Sequence, residues 1–113
     1  MKEIKAIIQP FMLEQVLHAL AAIRELPGVT VSEVTGWGKA RGKGVSDAVS
    51  EAGHSLAKKT KLEIVVADTL APEVAEAIAT SAHTGNVGDG KIFVYDVQDA
   101  IKIRTGGRSG EAL

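Results

Sequence analysis

Apolar and polar positions along the chain alternate between two periods. Over residues 2–9, Ile4, Ala6 and Ile8 share one face and Lys5 and Ile7 the other, which predicts a strand that Pro10 ends. Leu13, Val16, Leu17, Leu20 and Ile23 then recur at helical spacing, predicting a helix over residues 12–24 with one apolar stripe. After the Pro27-Gly28 turn, residues 29–37 are rich in Val and Thr and read as a second strand. Its alternation slips at Glu33-Val34, as a bulge or a partly exposed strand would. Neither period is sustained between Lys39 and Thr60, where only Val45, Val49 and Leu56 are large and apolar. A loop of this length inside a small domain is usually functional or disordered. Leu62, Ile64 and Val66 mark a third strand over residues 61–67. Pro72 suits the first turn of a second helix capped by Thr69 or Asp68, with Val74, Ala77, Ile78 and Ala82 on its inner side. A glycine-rich connection over residues 84–90 leads into a fourth strand over 91–97, then Ile101, Ile103 and a glycine-rich tail.

The order is β-α-β, long loop, β-α-β, and the halves align at a fixed offset: Val16 with Val74, Leu20 with Ile78, Ile4–Ile8 with Leu62–Val66. A duplicated βαβ unit predicts a single α+β domain of the ferredoxin-like βαββαβ kind, four antiparallel strands with two helices on one face. Ile7, Val65, Phe93 and Tyr95 fall on the uncovered face, and so apolar a surface predicts burial against other subunits.

Composition narrows the chemistry. The chain has 113 residues, with no Cys, so disulfides and thiolate sites are excluded. No stretch is long and apolar enough to span a bilayer and no signal pattern opens the chain, which favours a cytoplasmic protein that does not insert into membranes. Thirteen Lys+Arg against 14 Asp+Glu give no overall drive towards nucleic acid. Charge is uneven, however: residues 39–61 hold six cations and two anions. Only one Trp, one Tyr and two Phe are present, too few for base stacking on the sheet. His18, His54 and His83 lack ligand spacing, so no metal is expected. Asp89, between two glycines, suits a tight turn better than a general base, since no nucleophile accompanies it.

Phosphate or another anion is the ligand on which several segments converge. Gly88-Asp89-Gly90-Lys91 places close-approach glycines and a cation at a loop-to-strand junction. Gly36-Trp37-Gly38-Lys39 repeats the formula, and Lys102 and Arg104 offer two cations on one face of an extended segment. Residues 2–11, 29–38, 62–66, 84–93 and 101–106 together resemble the PII signal-transduction proteins, most specifically in the Thr84-Gly85…Gly88-Asp89-Gly90-Lys91-Ile92-Phe93 stretch.

The resemblance implies a non-enzymatic homotrimer that binds ATP, ADP or AMP between subunits. It also implies regulation of a partner, a membrane transporter or a metabolic enzyme, through a T-loop at about residues 39–60. Residues 84–91 would be the family's B-loop and 102–113 its C-terminal loop. Gly88, Asp89, Gly90 and Lys91 would hold the phosphates; Gly36, Trp37, Gly38 and Lys39 would line the same cleft. Ile7, Thr30 and Ile64 would border the adenine, and Lys102 and Arg104 would reach in from the neighbouring chain. Trp37 stands where Phe is usual, and Lys39 and Lys102 where Arg is usual. Ala40 replaces the Gln that serves Mg²⁺ and 2-oxoglutarate, Ala52 replaces the uridylylated Tyr, and Ser50 stands where some relatives are phosphorylated. A divergent branch without 2-oxoglutarate sensing or uridylylation is therefore expected. The alternatives are a trimeric sensor of metal or of a small anion such as bicarbonate, using His54 or the basic loop, and slow ATP hydrolysis assisted by Asp89 and Lys91.

Overall fold

The computed structural model describes residues 1–39 and 54–113. Four strands, β1 (Lys2–Ile8), β2 (Thr30–Lys39), β3 (His54–Val66) and β4 (Gly90–Asp96), form one antiparallel sheet in the order β2-β3-β1-β4. Two helices, α1 (Leu13–Ala21) and α2 (Ala71–Ser81), pack on one face. This is the ferredoxin-like arrangement that the duplicated βαβ pattern predicts.

The pleat decides which side chains meet the helices. Ile4, Ala6 and Ile8 of β1 and Leu62, Ile64 and Val66 of β3 point to the covered face and are essentially fully buried. They pack with Val16 and Leu20 of α1 and Val74 and Ile78 of α2. Each such aliphatic side chain contributes roughly 1.5–3 kcal/mol by leaving water.

Several element boundaries differ from the sequence expectation, and the helix ends do so for local reasons. Helix α1 ends at Ala21 rather than residue 24, because the chain tightens to i→i−3 bonds at Ala22 and Ile23 and Glu25 turns left-handed (φ 65°). Ile23 still reaches the core. Neither Thr69 nor Asp68 caps α2 with its side chain; Leu70 occupies the N-cap, the backbone carbonyl of Asp68 accepts from Ala71 N–H, and the Asp68 carboxylate pairs with the Met1 amine at 2.7 Å. Of the two readings of Glu33-Val34, the long, partly exposed strand holds and the bulge does not: pairing with β3 is continuous from Thr30↔Glu63 to Lys39↔His54.

The same pairing shortens the expected 39–60 loop, since Lys39 and residues 54–60 belong to the β2–β3 ladder. The polar run Lys58-Lys59-Thr60-Lys61 conceals its period because cations fall on both faces of the extended ribbon, Lys58 on one and Lys59 and Lys61 on the other. Ala40, Ser50 and Ala52, on which the loop readings rest, lie outside the described residues.

The helices leave the opposite sheet face uncovered. Ile7, Val65, Phe93 and Tyr95 lie there, as predicted, with Phe93 and Tyr95 44% and 43% exposed. Their rings stand 6.5 Å apart, and Lys5 Nζ lies 4.9 Å from the Tyr95 ring centroid, within cation–π range.

Candidate functional site

Where the start of β4 meets the ends of β1 and β2 and the middle of β3, the uncovered face opens into a cleft of about 640 Å³. Register explains its floor. Ile7 pairs with Lys91 on one side and Lys61 on the other, and residues Gly36, Gly38, Ala57 and Lys59 project from β2 and β3 onto the same face. The small residues Gly36, Gly38 and Ala57 leave the backbone accessible, so the cleft forms without a gap in the ladder.

Its wall is the connection from α2 to β4, and Asp89 holds that wall in shape. The Asp89 carboxylate accepts from Thr84 N–H at 2.7 Å, from Gly85 N–H at 2.9 Å and from the Thr84 hydroxyl. The Thr84 hydroxyl, its N–H and the Gly85 N–H hold the Asp89 carboxyl below the usual carboxylate range, and His83, 3.8 Å away, contributes a smaller electrostatic pull. Asp89 thus takes the turn-stabilising part expected of it.

Two glycines in this wall are obligatory. Gly88 and Gly90 have φ of 96° and 105°, a region side chains rarely adopt. A Cβ on Gly90 would stand 1.7 Å from the Ile7 carbonyl oxygen. The close approach seats the loop directly on β1 and aims Lys91 across the uncovered face.

Lys59 completes the cleft. Its ammonium donates to the Gly88 carbonyl at 2.7 Å, tying the middle of β3 to the glycine loop. Burial pushes the Lys59 ammonium down, and Asp89 pulls it partly back. The sequence reading counted Lys59 among loop cations; carrying the alternation of Leu62 and Ile64 three residues further back would have placed it beside Ile7.

The remaining candidates divide. Ile7, Gly36, Trp37, Gly38 and the Gly88–Lys91 run gather around the first cleft. Lys39 closes the β2 ladder, and Arg104 lines neither cleft. Thr30 and Lys102 line a second cleft of about 500 Å³ on the uncovered face, with Glu3, Glu63 and Val65. Residues 103–105 form a turn, not an extended segment, so Lys102 and Arg104 do not share one strand face. Ile64 is misplaced in the sequence reading: it is 1% exposed beneath the helices, on the face opposite Ile7 and Thr30, and its neighbour Val65 faces the second cleft. The one-residue alternation of a strand makes that difference absolute.

The molecule is therefore a ferredoxin-like α+β module whose uncovered sheet face carries a glycine-walled, cation-bordered cleft suited to an anion. The family model described as Nitrogen regulatory protein P-II matches residues 1–107. Proteins named Nitrogen regulatory protein P-II from Rhizobium etli, Rhodospirillum rubrum and Haemophilus influenzae are 48%, 45% and 43% identical to the chain, each aligned over the full length of both proteins. The chain belongs to the nitrogen regulatory protein P-II family.

Proposed function

We propose that this protein is a trimeric sensor that binds an adenine nucleotide and conveys its occupancy to a partner protein through the segment between β2 and β3. The observation that carries the reading is the Gly88–Lys91 wall. The side-chain-free backbone at Gly88 and Gly90, turned to positive φ, with Lys91 beside it and Lys59 across the cleft, forms a cradle suited to phosphate oxygens. The cradle is preorganised by Asp89, so little ordering cost falls on the ligand.

The two clefts support an intersubunit site. Gly36, Trp37, Gly38, Lys39 and the Gly88–Lys91 loop of one subunit would take the phosphates, with Ile7 beneath. Thr30, Lys102 and Arg104 of its neighbour would close over the nucleotide from the other side. Phe93 and Tyr95 support the assembly, because their exposed rings give the uncovered face an apolar surface that a neighbouring sheet would cover. Signalling requires that the nucleotide bind two states of the partner-facing segment with different affinity.

Hydrolysis finds less support. The Asp89 carboxylate already accepts three hydrogen bonds from the loop it shapes, and these lower its basicity, whereas a general base must take a proton from the attacking water. Among the described residues no group of three His, Asp or Glu side chains could hold a metal ion.

Calorimetry with ATP, ADP and AMP tests the reading. Saturable binding of at least one nucleotide, weakened by Lys91→Ala, is the expected result. Absence of binding by all three would refute it.

A further inference from the structure

Two of the buried residues, Ser55 and Thr60, are polar, and Ser55 faces the first cleft. It is 4% exposed. Strand alternation sets its side chain on the uncovered face with those of Ala57 and Lys59. All three line the cleft, whereas Leu56 and Lys58 between them do not. Gly38 lies opposite in the β2–β3 ladder and brings no side chain to meet it. Among the described residues the Ser55 hydroxyl has no hydrogen-bond partner. A hydroxyl so buried ordinarily has one, because it has given up its hydrogen bonds to water.

The cleft around it says what would supply the missing partner. Lys59 and Lys91 border it as cations, while the Asp89 carboxylate is taken up by Thr84 and Gly85 of its own loop. A ligand suited to these surroundings is rich in acceptors, and a hydroxyl meets it as a donor. Place along the strand says which part of the ligand that is. Ile7 pairs with Lys61, and the stretch of β3 from Lys61 to Ser55 is roughly 20 Å long. With the base of the nucleotide by Ile7 and the phosphates along the Gly88–Lys91 wall, Ser55 stands at the end of the cleft furthest from the base. The last phosphate of a triphosphate extends further towards it than that of a diphosphate.

We propose that the Ser55 hydroxyl donates a hydrogen bond to the terminal phosphate of a bound nucleoside triphosphate, so that Ser55 sets the preference of the site for ATP over ADP. The proposal rests on the nucleotide reading above and adds to it a residue that discriminates between ligands.

Calorimetry with ATP and with ADP on the unmodified protein, Ser55→Ala and Ser55→Thr tests this, together with the melting temperature of each without ligand. Loss of a hydrogen bond to a charged phosphate should weaken ATP binding by about tenfold or more in Ser55→Ala and leave ADP within about twofold. Ser55→Thr keeps the hydroxyl on a side chain that suits a strand and should bind ATP within about threefold of the unmodified protein. Without ligand, Ser55→Ala should melt no lower than the unmodified protein, because it removes an unpaired hydroxyl from a buried position. Unchanged ATP affinity in Ser55→Ala, equal losses for ATP and ADP, or a Ser55→Thr variant as weak as Ser55→Ala would each overturn the contact and leave the nucleotide site standing. A ligand-free Ser55→Ala that melts well below the parent would overturn it too, since the hydroxyl would then be paired within the fold. Binding of ADP but not ATP by the unmodified protein would overturn the contact alone. Binding of none of ATP, ADP and AMP would overturn the nucleotide reading, and the contact with it.

Discussion

Gly90→Ala is the sharpest single perturbation of this molecule. The new Cβ would lie 1.7 Å from the Ile7 carbonyl oxygen and 2.8 Å from its carbon, at a residue whose φ is 105°. Both clashing atoms belong to the backbone of β1, which is hydrogen-bonded on both sides in the middle of the sheet, so no side chain can swing away to relieve the overlap. Two costs add. An alanine held at positive φ outside its allowed regions costs about 1–3 kcal/mol. Separating the strands enough to admit a methyl group breaks one or two bonds of the β1–β4 ladder near Ile8↔Gly90, at about 1 kcal/mol each. The sum is roughly 2–5 kcal/mol, a large share of the ~5–15 kcal/mol that stabilises a typical domain. At about 4 °C per kcal/mol for a chain of this size, the melting temperature should fall by roughly 8–20 °C. Thermal and urea unfolding followed by circular dichroism would measure it. Gly38→Ala is the control: an added Cβ there meets nothing within 4 Å, and its stability should lie within about 0.5 kcal/mol of the unmodified protein. A Gly90→Ala protein that melts within 2–3 °C of the parent would refute the claim that this loop is seated on β1 by backbone contact (roughly the shift that ~0.5 kcal/mol produces).

Lys91→Ala should weaken ATP or ADP binding by about 10–100-fold through loss of a charge-assisted phosphate contact, without changing the oligomer; unaltered affinity would place the nucleotide elsewhere. Light scattering should return about three times the 11.8 kDa chain mass, and Phe93→Glu should shift it towards monomer; a monomeric parent at micromolar concentration would refute the trimer. Because the Asp89 pKa is depressed in the folded state, its stabilisation is complete above the ordinary Asp range and is lost as pH falls through the depressed value. Asp89→Asn should therefore reduce the loss of stability between pH 5 and about pH 2, and an identical acid limb in the two proteins would show that the loop contacts are not formed. The family resemblance implies a metal-coordinating Gln where this chain has Ala40, so 2-oxoglutarate and Mg²⁺ should leave ATP affinity unchanged and Ala40→Gln should introduce a coupling; tenfold tightening in the unmodified protein would contradict the reading.

Much of this molecule is local, and local features can be read from one dimension. The 2-residue period at Ile4, Ala6 and Ile8 and the 3.6-residue period at Val16 and Leu20 each report a face buried against something, and their duplication in the second half limits the topology to a split βαβ sheet. Glycines at 88 and 90 mark a tight connection in the sequence, because the positive φ that both adopt is strained for residues with a side chain. The faces of Ile64 and Val65 follow from the strand alternation, but the reach of β3 back to His54 and the partnership of Lys59 with the Gly88 carbonyl were decided only by pairing between distant segments. In the β2–β3 ribbon the polar residues carry no apolar period, so nothing within residues 54–60 distinguishes strand from loop until Thr30–Lys39 supplies the partner hydrogen bonds. The fold of the C-terminal turn is likewise set by Asp99, Ala100 and Lys102 across a chain reversal, and so is the placement of Leu113 beside Thr30. Burial leaves its mark on the residues that are buried, whereas register and cleft composition belong to pairs of residues, and a pair exists only once the chain has folded.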